Sequence, residues 1–548
     1  SFMVFQDGVI YQAPTVFDNL IAKQDIPPLV GIFIKPGIVP AANAKALPRY
    51  NRSYEYDSIT PTYSQFLLDE FLPAIEAKHG LKLSTDPNHA AIAGISSGGI
   101  CAFMAAWHRP DRFRRVFTGV GTYVGIHGAD QLPVLVRKFE PKPLRVFLQS
   151  GTGDNNLYCG DWWMANQMME RSLTWAGYDV NHAWGDGGHN AKHASQIFPD
   201  VLRWLWREWQ MDIEIKANAK RESKWKGYEV VGAGEWDLLA LPPDAKIEGH
   251  APGFHRMAAS KDGSVFIMAK RSQSLWSVPC VGDPKISANR IRSHKQFDIG
   301  INQHGDVLAL YAGAEGLIRL GVLDIGNRTS AQHMRNSTSF VLRNDGQTIV
   351  ANEGSGVSDP FSPDESRFAT IQVLQSNEKM EPQFETARGT LAFADLCLSP
   401  DQTLLYASTS TESTIFSIQL LPMQVPERKP DPFAVKPELV AATGVHALEA
   451  FGDLDTVRCI PITVGGLCVD TNGWLYVATS LGIQVCDQAG RVNFIIPTPK
   501  QPQDVCFGGK DLSELFIACG DAIYKRKTTA HGIVSGQMPP ITPPKPKL

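Results

Sequence analysis

The chain has 548 residues, 43% hydrophobic and 20% charged, with a formal net charge of −4. That length exceeds what one hydrophobic core holds, so two domains or more are expected, and the composition is that of a globular protein. The small net charge supplies no attraction for nucleic acid or an anionic membrane, and no apolar run reaches the length of a membrane span.

Ser1 opens directly into a strand-like stretch, "FMVFQDG", with no charged-then-apolar leader before it. The start therefore reads as processed, trimmed or incomplete. The compartment is not legible from it, and export to a bacterial periplasm or the extracellular space is carried only as an expectation. From there, short apolar strands are predicted at Phe2–Phe5, Leu29–Ile34, Ala90–Ile95, Arg115–Val120 and Leu144–Gln149. Helices are predicted at Tyr63–Lys78 with Gly80 as its stop, then at Ser97–Trp107, Asp161–Ala176 and Ser195–Trp209. Strands alternating with helices imply a mostly parallel sheet covered on both faces, an α/β fold.

The stretch "GISSGG" at 94–99 fits G-x-S-x-G with Ser96 in the middle; Ser97 has no glycine two residues before it. An apolar strand, "HAAIAGI", precedes it and a small-residue helix start, "SGGICAFMAAW", follows. A strand, a tight glycine-flanked turn and a helix are what presents a nucleophilic serine above a sheet. The same segment also fits a plain strand-to-helix turn, so the partners must decide. A serine hydroxyl needs a base, and the base an orienting acid. "RVFLQSGTGD" places Asp154 just past a strand end, and "WGDGGHN" places His189 in a glycine-rich loop before the last helix. The order Ser96, Asp154, His189 is the one this architecture requires. The rivals are Asp161, which also suits a helix cap, and His193, His182 and Asp186. Oxyanion donors are expected at the backbone N–H of Ser97 and at that of Gln6 or Asp7. Tyr158, Trp162 and Trp163 follow the acid and offer stacking surface for a sugar or aromatic acyl group, or else belong to the helix core. His193 is a further pocket candidate.

Residues 210–224 read as a polar linker. Beyond it, six strand-turn-strand units recur, from "AASKDGSVFIMA" to "VCFGGKDLSELFIAC", and suggest a six-bladed β-propeller. The nine cysteines are odd in number and include no C-x-x-C, which argues against a disulfide framework or a zinc cluster; Cys397, Cys468 and Cys506 occupy the same place in three of the repeats. The expected organisation is a hydrolase domain over 1–209, the linker, a propeller over 225–530 and a proline-rich tail over 531–548.

Together "MVFQDG", "NRSYEYD", "AIAGISSGG", "SGTGD" and "GGHN" resemble the α/β-hydrolases related to enterochelin esterase, esterase D and bacterial feruloyl esterases, over essentially all of 1–209. The resemblance implies a serine ester hydrolase that works through an acyl-enzyme without a cofactor, with Ser96, Asp154 and His189 as triad. It places Arg52, Glu55 and Asp57 in a loop near the site, either to bind substrate or to buttress the loop. It also implies strands ahead of the "FQDG" strand that this chain does not contain. The second half, through "LSPDQTLLYAST" and "GGLCVDTNGWLYVATSLGIQVCDQAGRVNFIIP", resembles the gluconolactonase, senescence-marker and luciferin-regenerating propellers. Active lactonases of that group hold one divalent metal with Glu, Asn and Asp. The matching positions here are His255, Ala394 and Gly465, with Thr338 where a second Asn would stand; Glu248 nearby is one carboxylate alone. No metal is expected, and the propeller reads as a scaffold or binding surface. The resulting expectation is a serine esterase acting on a small-molecule ester, carbohydrate-linked or aromatic. The alternatives are a bifunctional esterase and metal-dependent lactonase, or a binding protein with both sites dead. Oligomeric state is left open.

Overall fold

The computed structural model describes residues 1–215, 232, 234–241, 252–270, 274–290, 296–302, 305–312, 318–322, 331–334, 337–344, 348–352, 370–374, 380–385, 393–409, 413–420, 448–454, 463–534, 536–537 and 539–545. The predicted linker from residue 216 onward and Glu248 lie outside these residues. The chain divides into two compact units, one built on Ser1–Ser223 and the other on Lys224–Thr456 and Pro461–Leu548.

The first unit is a six-stranded parallel sheet. Its strands are β1 (Phe2–Phe5), β2 (Val30–Phe33), β3 (Ala90–Ile95), β4 (Arg115–Gly119), β5 (Arg145–Gly153) and β6 (Asp179–Gly188). They lie in the order β2–β1–β3–β4–β5–β6. Alternate side chains of each strand face opposite ways, so Met3, Phe5, Phe117 and Phe147 pack into one cluster. Helices Ala13–Ala22 and Lys192–Trp206 cover that face through Phe17, Leu20, Phe198, Leu202 and Trp206. The chain leaves β1 toward β2 on one side and leaves β3 toward β4 on the other. The carboxyl ends of β1 and β3 therefore flank a topological switch point, the place where open α/β sheets bind ligands.

The predicted helix at 63–78 runs as Thr62–Phe66, a π-helical turn at Leu67–Phe71, and Leu72–His79. Pro73 has no N–H to give to the preceding turn, and the wider turn absorbs that loss. Gly80, at φ 64°, ends the helix in the left-handed conformation. Among the described residues no helix is long and apolar enough to cross a membrane.

The second unit is a β-propeller of six four-stranded antiparallel sheets. The six repeats read from the sequence are the first two strands of the six sheets. The first strands are Phe254–Ala259, Gln296–Ile301, Ser337–Leu342, Phe393–Leu398, Val464–Val469 and Asp504–Gly508. Each contacts the next, and the last contacts the first, so they close a ring. The sixth sheet takes its outermost strand, Asp237–Leu238, from the beginning of the unit, which ties the two ends of the propeller together. The proline-rich tail lies on the blades: the Ile541 N–H donates to the Pro400 carbonyl at 2.9 Å and Gln488 Nε2 to the Pro544 carbonyl at 2.7 Å.

Candidate active site

Ser96 sits where β3 turns into helix Ser97–His108, with φ 56° and ψ −120°, a backbone conformation costly for any residue but glycine. Two glycines make the turn possible. A Cβ on Gly94 would collide with the backbone of Gly98. A Cβ on Gly98 would lie 2.6 Å from Asp7 Oδ2, so the loop after β1 presses directly on the elbow.

The residues chosen from the sequence as acid and base meet this serine. Ser96 Oγ is 2.8 Å from His189 Nε2, and His189 Nδ1 is 2.6 Å from Asp154 Oδ1. Asp154 is fully buried on its side chain. Its two oxygens also accept from Ser150 Oγ at 2.6 Å and from the Asn155 N–H at 2.8 Å, which holds the carboxylate toward the imidazole. Such a series lets an imidazole take a proton from the serine while a fixed negative charge stabilises the cation that forms.

The rivals lie elsewhere. Asp161 caps helix Trp162–Ala176, accepting from the Met164 N–H at 3.1 Å. His193 pairs with Gln149 at 3.2 Å, and His182 stacks on Trp184. Asp186 is exposed. The aromatic candidates separate. Trp162 is buried; its indole N–H donates to Thr122 Oγ1 at 3.3 Å and its ring meets His189 edge-on. Trp163 packs against Trp184. Tyr158 is 97% exposed.

The oxyanion assignment needs correction at Gln6 and Asp7. The Gln6 N–H continues the sheet, donating to the Ala93 carbonyl at 2.9 Å. The Asp7 N–H is turned to the Tyr56 hydroxyl at 3.4 Å. Gly8 donates to the Ile34 carbonyl at 2.7 Å. The first backbone N–H after β1 with no partner among the described residues is that of Val9, which is 64% exposed. The Ser97 N–H likewise has none.

The "NRSYEYD" segment holds this loop. Arg52 grips Asp7 with two bonds of 2.7 and 2.8 Å and reaches the Ile95 carbonyl at 3.3 Å, which joins the loop after β1 to the elbow. Glu55 binds the Gly37 N–H and Asp57 accepts from Ser53. The buried Tyr63 hydroxyl, which the sequence reading overlooked, donates to Gln6 Oε1 at 2.6 Å. Thr122, 3.3 Å from Ser96 Oγ, was overlooked as well; the spacing of its segment carries no signal for it.

In the propeller, His255, Thr338, Ala394 and Gly465 each occupy the second place of a ring-forming strand. These residues do not fit a divalent metal. Ala394 and Gly465 have no side-chain donor, and a Cβ on Gly465 would collide with the Gln503 carbonyl. Among the described residues no group of three His, Cys, Asp or Glu side chains is placed to hold one. One place further along the strands, the axis is filled. Arg256, its side chain 13% exposed, lies 3.3 Å from Asp395 and 3.8 Å from Asp298. Asp298, Asp395 and Asp504 each accept a backbone N–H from the next blade, those of Phe340, Leu467 and Met257. Burial opposes the charge on Arg256, but Asp395, Asp298 and Asp504 outweigh it and hold its pKa above the usual value. Burial pushes Asp298 up to about 6. Beyond this layer is a cavity of about 120 Å³, lined in part by Cys397, Cys468 and Cys506 and by Ile533 and Val534 of the tail.

The Esterase family matches residues 3–193, and the SMP-30/gluconolactonase/LRE-like region family matches residues 385–520. An iron(III) enterobactin esterase of Dickeya dadantii is 30% identical over 152 residues, 25% of this chain and 33% of that protein. Its counterpart from Escherichia coli is 28% identical over 185 residues, 32% of this chain and 41% of that protein. The chain thus spans about a third to two fifths of the length of the curated relatives it matches. A solved gluconolactonase from Xanthomonas campestris is 14% identical, with a TM-score of 0.40, over 55% of this chain and 92% of that one. The chain carries an enterobactin esterase-like esterase domain followed by an SMP-30/gluconolactonase-like propeller domain.

Proposed function

We propose that the chain is a serine carboxylic ester hydrolase with Ser96 as nucleophile, His189 as general base and acid, and Asp154 as the group that orients and charges the imidazole. The observation that carries this reading is the unbroken series Ser96 Oγ, His189 Nε2, His189 Nδ1, Asp154 Oδ1, at 2.8 and 2.6 Å, beneath a strained turn at the sheet's switch point. Ser96 Oγ attacks the ester carbonyl while His189 Nε2 takes its proton. The tetrahedral oxyanion is held by the N–H groups of Ser97 and Val9. His189 then protonates the departing alcohol, and water repeats the sequence on the acyl-enzyme. For the ester itself, the exposed ring of Tyr158, just after the acid, is a stacking surface suited to an aromatic acyl or sugar group. The propeller takes no part in the chemistry and serves as scaffold or binding surface. Hydrolysis of p-nitrophenyl butyrate tests the assignment. Ser96→Ala should fall to background while Ser97→Ala keeps most of the rate, since only its backbone N–H is used. The reverse pattern would move the nucleophile to Ser97.

A further inference from the structure

Ser96 Oγ has a second polar neighbour that the scheme above leaves idle. The Thr122 hydroxyl lies 3.3 Å from it, and the Trp162 indole nitrogen lies 3.3 Å from the same threonine oxygen. Thr122 is fixed there by its backbone, whose N–H donates to the Ser96 carbonyl at 3.2 Å. Both side chains are out of solvent, Thr122 at 1% and Trp162 at 4% exposure.

Counting donors sets the direction of every proton in this cluster. An indole N–H can only donate, so the Thr122 oxygen accepts from Trp162. An ionised carboxylate can only accept, so His189 gives its Nδ1 proton to Asp154 and its Nε2 is left as an acceptor. Ser96 must then give its one proton to Nε2. Toward Thr122, Ser96 Oγ can therefore only accept, and the threonine hydroxyl donates to it. The result is one directed chain: Trp162 to Thr122 to Ser96 to His189 to Asp154.

We infer that Thr122 is a further catalytic residue, a hydroxyl donor held on the nucleophilic oxygen itself. This rests on Ser96 being the nucleophile. The donor acts unequally on the two halves of the reaction. In acylation Ser96 Oγ gives electron density to the carbonyl carbon, and a hydrogen bond to it brings little. In deacylation water adds to the acyl carbon as His189 Nε2 takes one water proton. The bond from that carbon to Oγ then breaks, its electron pair stays on Oγ, and His189 returns the proton there. Negative charge grows on Oγ before the proton arrives, and a hydrogen bond to a charged oxygen is worth roughly twice one to a neutral oxygen. Thr122 supplies it without reorganisation, because Trp162 already occupies its acceptor side.

Stopped-flow hydrolysis of p-nitrophenyl acetate tests this with Thr122→Val, close in shape to threonine, and Thr122→Ser, which keeps the hydroxyl. Thr122→Val should lower kcat at least about tenfold, the lower end of the loss expected for one hydrogen bond to a charged group. KM should fall with it, kcat/KM should stay within about threefold, and a burst of nitrophenolate should approach one per enzyme as the acyl-enzyme accumulates. Thr122→Ser should recover most of kcat. Should the valine variant fold poorly, Thr122→Ala carries the same expectation. The proposal is overturned if Thr122→Val shows the wild-type kcat and no larger burst, if kcat/KM drops as far as kcat, or if Thr122→Ser is no better than Thr122→Val. Ser96→Ala run alongside separates the two readings. If Ser96→Ala still turns over, the nucleophile assignment fails and the threonine's role with it. If it is inert while Thr122→Val behaves as wild type, only the threonine's role fails.

Discussion

The two units each gather side chains from several strand ends to one point, and they fill that point in opposite ways. In the first, the gathered groups form a short series of hydrogen bonds from Ser96 Oγ through His189 to Asp154, with one carboxylate paired with one imidazole. In the second, three carboxylates and one guanidinium close on each other, and each carboxylate is tied to the neighbouring blade. The difference teaches that a fold supplies positions and the residues at them supply chemistry. At the second place of four ring-forming strands, where the resemblance to lactonase propellers would put metal donors, the chain carries His255, Thr338, Ala394 and Gly465, two of them without a side-chain donor. The propeller axis is then held by an ion cluster that cross-links blades.

The largest effect should come from the first point. His189→Ala should cost at least about a thousandfold in kcat, and Asp154→Asn somewhat less, because removing any member of such a series leaves only the oxyanion donors and binding. Assays with a small aryl ester check both; a greater loss in His193→Ala than in His189→Ala would shift the base. The corresponding blow to the second point should fall on stability alone. Gly466 faces two carboxylates, and a Cβ there would collide with Asp504. Gly466→Ala should therefore destabilise the propeller by about 3 kcal/mol, at the upper end for overpacking, with esterase turnover unaltered. Loss of turnover in that variant would contradict the division of labour.

Acid should act on the stability of the two units in opposite directions. In the first, burial first and then Lys142 lower the pKa of His108 to about 4. A group depressed on folding contributes stability at pH above its unfolded value and loses it as pH falls through about 4. In the second, Asp298 and Asp470 are raised to about 6, chiefly by burial. Raised groups do the reverse: their contribution is present at low pH and is lost as pH rises through about 6. Between pH 4 and 6 these groups should thus weaken the first unit and strengthen the second on acidification, by an amount on the order of 2 kcal/mol each. Melting curves of His108→Gln and Asp298→Asn against wild type isolate each contribution; equal pH slopes in variant and wild type would refute it. The smallest expected effect is none at all: a chelator should change neither the esterase rate nor the melting temperature, because an ion that does not bind the native state cannot stabilise it.

Much of this was legible along the chain, and what was not has a common physical reason. The elbow, Asp154 and His189 each lie in a short stretch whose glycines and strand ends mark it locally. The six repeats carry their own period. Thr122, and the partners that Trp162 and Arg52 find in Thr122 and Asp7, depend on which strands lie side by side, and no local pattern records that. Gln6 was read as a free donor because the apolar run ends at Phe5, whereas its N–H extends the ladder to Ala93. The register of neighbouring strands, not their composition, decided that N–H. The ion cluster was missed because its members stand far apart in sequence. Yet Arg256, Asp298, Ser339, Asp395 and Gly466 all hold the third place of their strands, and aligning the repeats on that place would have shown them together.

The central claim is that Ser96 is an activated nucleophile, and covalent labelling tests it most directly. The full chain treated with a fluorophosphonate should take up one phosphonyl group per molecule. Peptide mapping should place it on Ser96, and both Ser96→Ala and His189→Ala should abolish it. An unlabelled wild-type chain, or a label on Ser97 or any residue of the propeller, would contradict the account.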